Sequence, residues 1–183
     1  MGALVGLIIS DALSGDKIKR MEARKSVEKL LNKHYSEPLP RNGEATVLLR
    51  ELRDEFIKLS ESIDSSDRLV GIQGLGWISI SDVFDEKIDY FIELIFETIV
   101  DDKGDIRLAT ANAFGYLRAG FGQNHYFTDE KYVRLYLDLI ELLDNQTDEK
   151  KKKSIENMLG KLYCPHLDTI LRKMGYAPSK QKL

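Results

Sequence analysis

This chain has little of what holds small domains together by covalent or metal bonds. Its 183 residues include one cysteine, Cys164. No intramolecular disulfide can form and a cysteine-based zinc site is excluded. A reducing, cytoplasmic location is the natural expectation for such a chain. Histidine is equally sparse. His34, His125 and His166 are far apart, and no HExxH pattern occurs. No metal and no cofactor are expected. With four prolines and thirteen glycines, long helices need not be interrupted. A basic excess is missing too. The net charge of -3 argues against a wholly basic nucleic-acid binder and still permits a local basic face.

Long apolar runs are absent. The most apolar stretch, Ala3 to Leu13, holds Leu4, Val5, Leu7, Ile8, Ile9 and Leu13 and is interrupted by Asp11. At about ten residues it is too short to span a bilayer. It lacks a basic leader, so a signal peptide is not expected. A buried first helix is.

What the chain does have is helical periodicity. Tyr132, Leu135, Tyr136, Leu139, Ile140 and Leu143 form one apolar stripe. Ile88, Phe91, Ile92, Ile95 and Ile99 form a second, and Leu48, Leu49, Leu52, Phe56, Ile57 and Leu59 a broader third. No stretch alternates as a strand does. Turns rich in Asp, Ser, Gly and Asn lie at Asp64 to Ser66, Asp101 to Gly104 and Asp144 to Thr147. Longer links lie at Tyr35 to Gly43, Ser79 to Phe84 and Gly120 to Phe127. This punctuation pairs 44–61 with 67–79, 85–100 with 105–119 and 128–143 with 148–163. A degenerate first pair is 3–13 with 17–34. A last helix should begin at Pro165, suited to a first turn, and stop near Gly175.

The pairs repeat weakly in sequence. Superimposing Arg107 on Arg68, a shift of 39, aligns Phe114 with Leu75, Gly115 with Gly76 and Tyr116 with Trp77. A shift of 45 aligns Gly115 with Gly160 and Leu117 with Leu162. A period of about 40 residues marks a helical solenoid. Asp-Ile-Arg-x-Ala-x-Ala-x-Ala-Phe-Gly-x-Leu at 105–117 resembles the second helix of a HEAT repeat. The resemblance implies an all-α, right-handed α-α superhelix of three to four helix pairs. The whole chain, 1–183, would be one domain, with 1–42 a degenerate pair, 43–163 the repeats and 164–183 a capping helix and tail. It further implies that first helices form the convex side and second helices line the concave side. Asp105 and Arg107 resemble that family's charged ladder between repeats. Ala109, Ala111, Ala113 and Gly115 are small enough for neighbouring helices to approach closely. The expected core is Leu69, Ile72, Leu75, Ile92, Ile95, Leu108, Ala111, Phe114, Leu135, Leu139, Ile155, Leu159 and Leu162.

Candidate chemistry is thin. None of the histidines is followed by Glu, so the His-Glu pairs of iron-binding HEAT-type hydroxylases are missing. Cys164-Pro165-His166 reads better as a buried cysteine capping the last helix than as a nucleophile and base. Gly71 to Gly76 is glycine-rich but follows no strand, so close helix packing is expected there rather than phosphate binding. The loop residues Phe121, Gln123, Asn124, His125, Tyr126 and Phe127 combine aromatic and polar groups, as a recognition loop does. Asp85, Asp89, Glu93 and Glu97 recur every four residues, a solvated face or an acidic docking strip. Bases gather on the second helices, notably Arg20, Arg24, Lys25, Lys29, Lys151 and Lys152.

Two readings follow. The leading one is a protein–protein interaction scaffold that binds a partner through its concave face and inter-repeat loops. The alternative is a nucleic-acid-binding HEAT-like protein using a basic concave face. That basic face also resembles, loosely, the HEAT-like DNA glycosylases, which use Trp, Asp and Arg in the groove. Trp77 is the one tryptophan, and no Asp or Arg matches the motif, so no catalytic residue is carried over and no enzyme activity is expected.

Overall fold

In the computed structural model, residues 2–79, 81–120 and 128–176 are described, with the side chains of all of these except 85, 86, 114–120 and 166. Among the described residues there are nine α-helices and no strand. The chain divides into two compact units, Met1–Phe84 and Asp85–Leu183. That division lies inside the stretch read as one continuous series of repeats.

The first unit contains α1 (Ala3–Leu13), α2 (Lys17–Tyr35), α3 (Glu44–Ser60) and α4 (Ser65–Ile78). α1 packs on α2 and α3 on α4, the pairing expected from the turns. α1 and α2 each also meet both α3 and α4, so the two pairs pack on one another as a four-helix unit. The turns are capped as their sequences suggest. Asp16 accepts from the Ile18 amide, and Asp64 from the amides of Ser66 and Asp67. Val5, Ile8, Val27, Leu49, Leu52, Phe56, Ile72, Leu75 and Ile78 are buried together in this unit's core.

Glycine sets the closest approach. A methyl group on Gly71 would lie 2.3 Å from the Ser60 backbone nitrogen and 2.7 Å from the Phe56 carbonyl oxygen. On Gly74 it would lie 2.3 Å from the Phe56 ring. The absent side chains let α4 lie directly against α3. Trp77 then meets Phe56 edge to face, with ring centroids 6.0 Å apart. Gly160, which the repeat alignment equates with Gly115, is different: it is exposed, and nothing lies within 4 Å of a methyl placed there.

The second unit contains α5 (Ile88–Thr98), α6 (Gly104–Gly120), α7 (Asp129–Asn145), α8 (Glu149–Leu162) and α9 (Pro165–Lys173). α5 packs on α6, α7 on α8, and α6 also on α8. A 3₁₀ helix, Asp82–Lys87, precedes α5, where the sequence reading began a regular helix at residue 85. Val83 and Phe84 are buried there, and the Val83 carbonyl accepts from Arg53 of α3. α9 packs on α7, and the Tyr132 hydroxyl of α7 donates to the Leu162 carbonyl at the end of α8. Cys164 is half-buried and its Sγ accepts from the Leu167 amide at 3.4 Å, the capping role expected of it. The chain leaves α9 at Gly175, whose φ of 83° is the left-handed terminator expected there.

Most of the expected core is buried: Ile72, Leu75, Ile95, Ala111, Leu135, Leu139, Ile155, Leu159 and Leu162. Leu69 and Ile92 are half-buried. Leu108 is a correction, since it is 56% exposed. It lies one residue past Arg107 and between the buried Ile106 and Ala109, on the side that α6 turns to solvent. The side chain of Phe114 lies outside the described residues. α1 also differs from expectation. It buries Val5, Ile8 and Ala12 but leaves Leu4, Leu7 and Leu13 41–58% exposed. No helix among the described residues is long and apolar enough to cross a membrane.

Candidate functional site

Two polar clusters stand out, one in each unit. The first is built around His34, at the last turn of α2, which is fully buried. Its Nδ1 lies 2.7 Å from Thr46 Oγ1 and its Nε2 lies 2.5 Å from Asp82 Oδ1. Thr46 Oγ1 donates to Glu37 Oε2 at 2.6 Å, so it accepts from the histidine. Arg41 Nη1 holds the other Asp82 oxygen at 2.9 Å and lies over the Tyr35 ring. Glu37 also accepts from the amides of Gly43 and Ala45. The cluster ties the 36–43 link and the start of the 3₁₀ helix to α2.

This closure has a pH signature. The Thr46 hydroxyl, and then the Gly43 and Ala45 amides, hold the Glu37 carboxyl below its ordinary 4.5, against some desolvation. A carboxyl lowered on folding adds stability above its unfolded value, and that stability is lost as pH falls through the folded one. Unfolding free energy should therefore drop as pH falls below about 4.5, and Glu37→Gln should lack that component of the drop. Denaturant titrations of both proteins across that range check it. Parallel pH profiles would contradict it.

The second cluster runs along the seam between α6 and α8, held by three clasps. Lys151 Nζ reaches Asp102 Oδ1 at 2.7 Å, and this bond lowers the Asp102 carboxyl below its usual range. Arg107 is 8% exposed. Its Nε donates to Ser154 Oγ at 3.0 Å, and its Nη1 to the carbonyls of Asp101 and Asp102 at 2.6 and 3.0 Å. Lys161 Nζ donates to Asn112 Oδ1 at 2.6 Å and to the Ala111 carbonyl at 3.3 Å. Partial burial pulls the Lys161 ammonium below its ordinary value.

Beside these clasps is a groove of about 370 Å³. α6 lines it with Gly104, Arg107, Leu108 and Ala111, and α8 with Lys150, Lys153, Ser154 and Asn157. Residues 150, 153, 154, 157 and 161 fall at i, i+3, i+4, i+7 and i+11, one stripe of α8. Three cations and no carboxylate line the groove. Lys150 and Lys153 are exposed and make no ion pair with any described residue. The volume falls in the range of ligand-sized clefts.

The residues singled out from sequence are distributed unevenly. Arg107 bonds Ser154 of α8, while Asp105 is exposed and accepts from the next amide, Ile106. Lys151 and Lys152 sit on α8 but pair with Asp102 and Glu149. The unpaired lysines are their neighbours. On α2, Arg20 donates to the Ser14 carbonyl at 2.6 Å, and Arg24 pairs with Glu28 at 3.1 Å. Lys25 and Lys29 are exposed. Asp89, Glu93 and Glu97 are exposed along α5, and Asp89 pairs with Lys131 of α7 at 2.5 Å. The Asp85 side chain lies outside the described residues. So does the loop with Phe121, Gln123, Asn124, His125, Tyr126 and Phe127. The His34 cluster was missed from sequence, while the lysine pair of the groove lies within the basic run 150–153 read on α8. The groove had a signal in the polar stripe on α8; the His34 cluster had none, since its members lie 48 residues apart. Among the described residues no group of His, Cys, Asp and Glu could hold a metal ion.

No family model, no curated protein and no solved structure matches this chain.

Proposed function

We propose that the chain is a HEAT-like helical-repeat scaffold, a right-handed solenoid of helix pairs that works inside the cell by binding another protein rather than by catalysis. The observation that carries this reading is the α6–α8 seam. Two second helices lie side by side, clasped by buried and half-buried polar bonds, and leave an open groove with Lys150 and Lys153, which pair with no described carboxylate. Repeat proteins commonly offer such surfaces to their partners. At the most densely bonded polar cluster His34 and Thr46 are buried while Asp82 and Arg41 are about three-quarters covered, which suits a structural pin.

Nucleic-acid binding is the runner-up, favoured by the exposed Lys25, Lys29, Lys150 and Lys153. Phosphate-driven binding weakens steeply with salt. The test is site-specific photo-crosslinking in the native host, with the probe at Leu108 on α6 or at Glu93 on α5. The scaffold reading expects a discrete protein adduct from position 108 and not from position 93. No protein adduct from either position, or nucleic-acid adducts alone, would overturn it.

A further inference from the structure

We infer that the α6–α8 groove receives an acidic peptide segment of a partner protein. Such a segment sets a carboxylate against Arg107, Lys150 and Lys153 and an apolar side chain against Leu108. This inference rests on the scaffold reading and gives its site a partner chemistry.

Charge is the first argument. The three cations meet in one small groove that no carboxylate lines, and two of them lack an ion-pair partner among the described residues. Arg107 is held in place, and its charge helps to keep the nearby Asp102 and Asp148 carboxyls below their ordinary range. Its Nε and Nη1 are spent on Ser154 and two carbonyls, which fixes the guanidinium plane. Its Nη2 makes no hydrogen bond to a described residue. It sits beside Gly104, where even an added methyl would come no closer than 3.5 Å. A guanidinium held this way loses little rotamer freedom on accepting a carboxylate.

An apolar contact separates a peptide from a phosphate backbone as the occupant. Leu108 is 56% exposed at the groove, so its occupant meets apolar surface as well as charge. The surroundings are acidic: Asp102 and Glu149 have side chains 94% and 84% exposed, and Asp105 and Glu156 are exposed as well. A regular track of phosphates would run onto these carboxylates. A peptide with acidic and apolar residues close together matches the groove and avoids them. Asn157 and Ser154 add hydrogen-bonding groups on the α8 wall.

The experiment selects displayed random linear peptides on the full chain and measures the recovered peptides by fluorescence anisotropy. The expected result is enrichment of Asp or Glu beside Leu, Ile or Phe. Lys150→Glu with Lys153→Glu should weaken those peptides by about tenfold or more, from two attractions replaced by repulsions. Both lysines are exposed, so the melting temperature should hold. Leu108→Ser should weaken the same peptides without changing their salt dependence. Absence of acidic enrichment, unchanged affinity in the double variant, or displacement of the peptide by short duplex DNA would overturn the inference. Peptides that bind and perturb amide resonances only outside α6 and α8 would sink the groove assignment and leave the scaffold reading standing. A chain that binds no peptide and gives no protein adduct sinks both.

Discussion

Replacing Gly71 by valine is expected to be the most damaging single change in the first unit. Its Cβ would meet backbone on α3, at 2.3 Å from the Ser60 nitrogen and 2.7 Å from the Leu59 carbonyl carbon. Backbone cannot swing aside as a flexible side-chain end can, so α4 must move off α3. That opens the packing of Phe56, Ile72 and Leu75, all buried. The cost is about 3 kcal/mol or more, at the upper end of overpacking effects. Gly160→Ala is the matched control. Nothing lies near that position, and alanine favours a helix, so stability should hold or rise by up to about 1 kcal/mol. Thermal and denaturant melts followed by circular dichroism check both. Equal midpoints for Gly71→Val and the parent would show that the helices are not in contact there.

The second large effect is expected at His34. Alanine removes the group to which Thr46 and Asp82 are both bonded, in a site with no access for replacement water from the histidine side. Thr46 is itself 1% exposed, while Asp82 keeps Arg41 and some solvent contact. The net cost is about 3 kcal/mol, between a lost charged hydrogen bond and a broken buried pair. Asp82→Asn should cost less, since an amide oxygen can still accept from the ring. A denaturation midpoint for His34→Ala within error of the parent would contradict the pin.

The helical class and the pairing were legible because each depends on neighbours in sequence. Helical periodicity and the turn-forming residues between the helices announced α3, α4, α7 and α8 to within two residues at each end. Gly71 and Gly74 were legible for the same reason, since a glycine inside a periodic helix needs a packing cause. Leu108 misled because an apolar residue beside a repeat motif looks like core, whereas only the third dimension shows that α8 leaves it uncovered. The groove was half legible. Lys150 to Lys153 announce a basic helix end, but which lysines are spent on Asp102 and Glu149 depends on how α8 is turned against α6. The His34 cluster was not legible at all, because its bonds join the end of α2, the start of α3 and the 3₁₀ helix.

The central claim is that the α6–α8 groove is where this chain holds its partner. The most direct test is the affinity of the protein captured by crosslinking at Leu108 for the purified chain and for its Lys150→Glu, Lys153→Glu variant, by calorimetry at fixed salt. A loss of about tenfold or more in affinity with an unchanged melting temperature is expected. Equal affinity for the two proteins would contradict it.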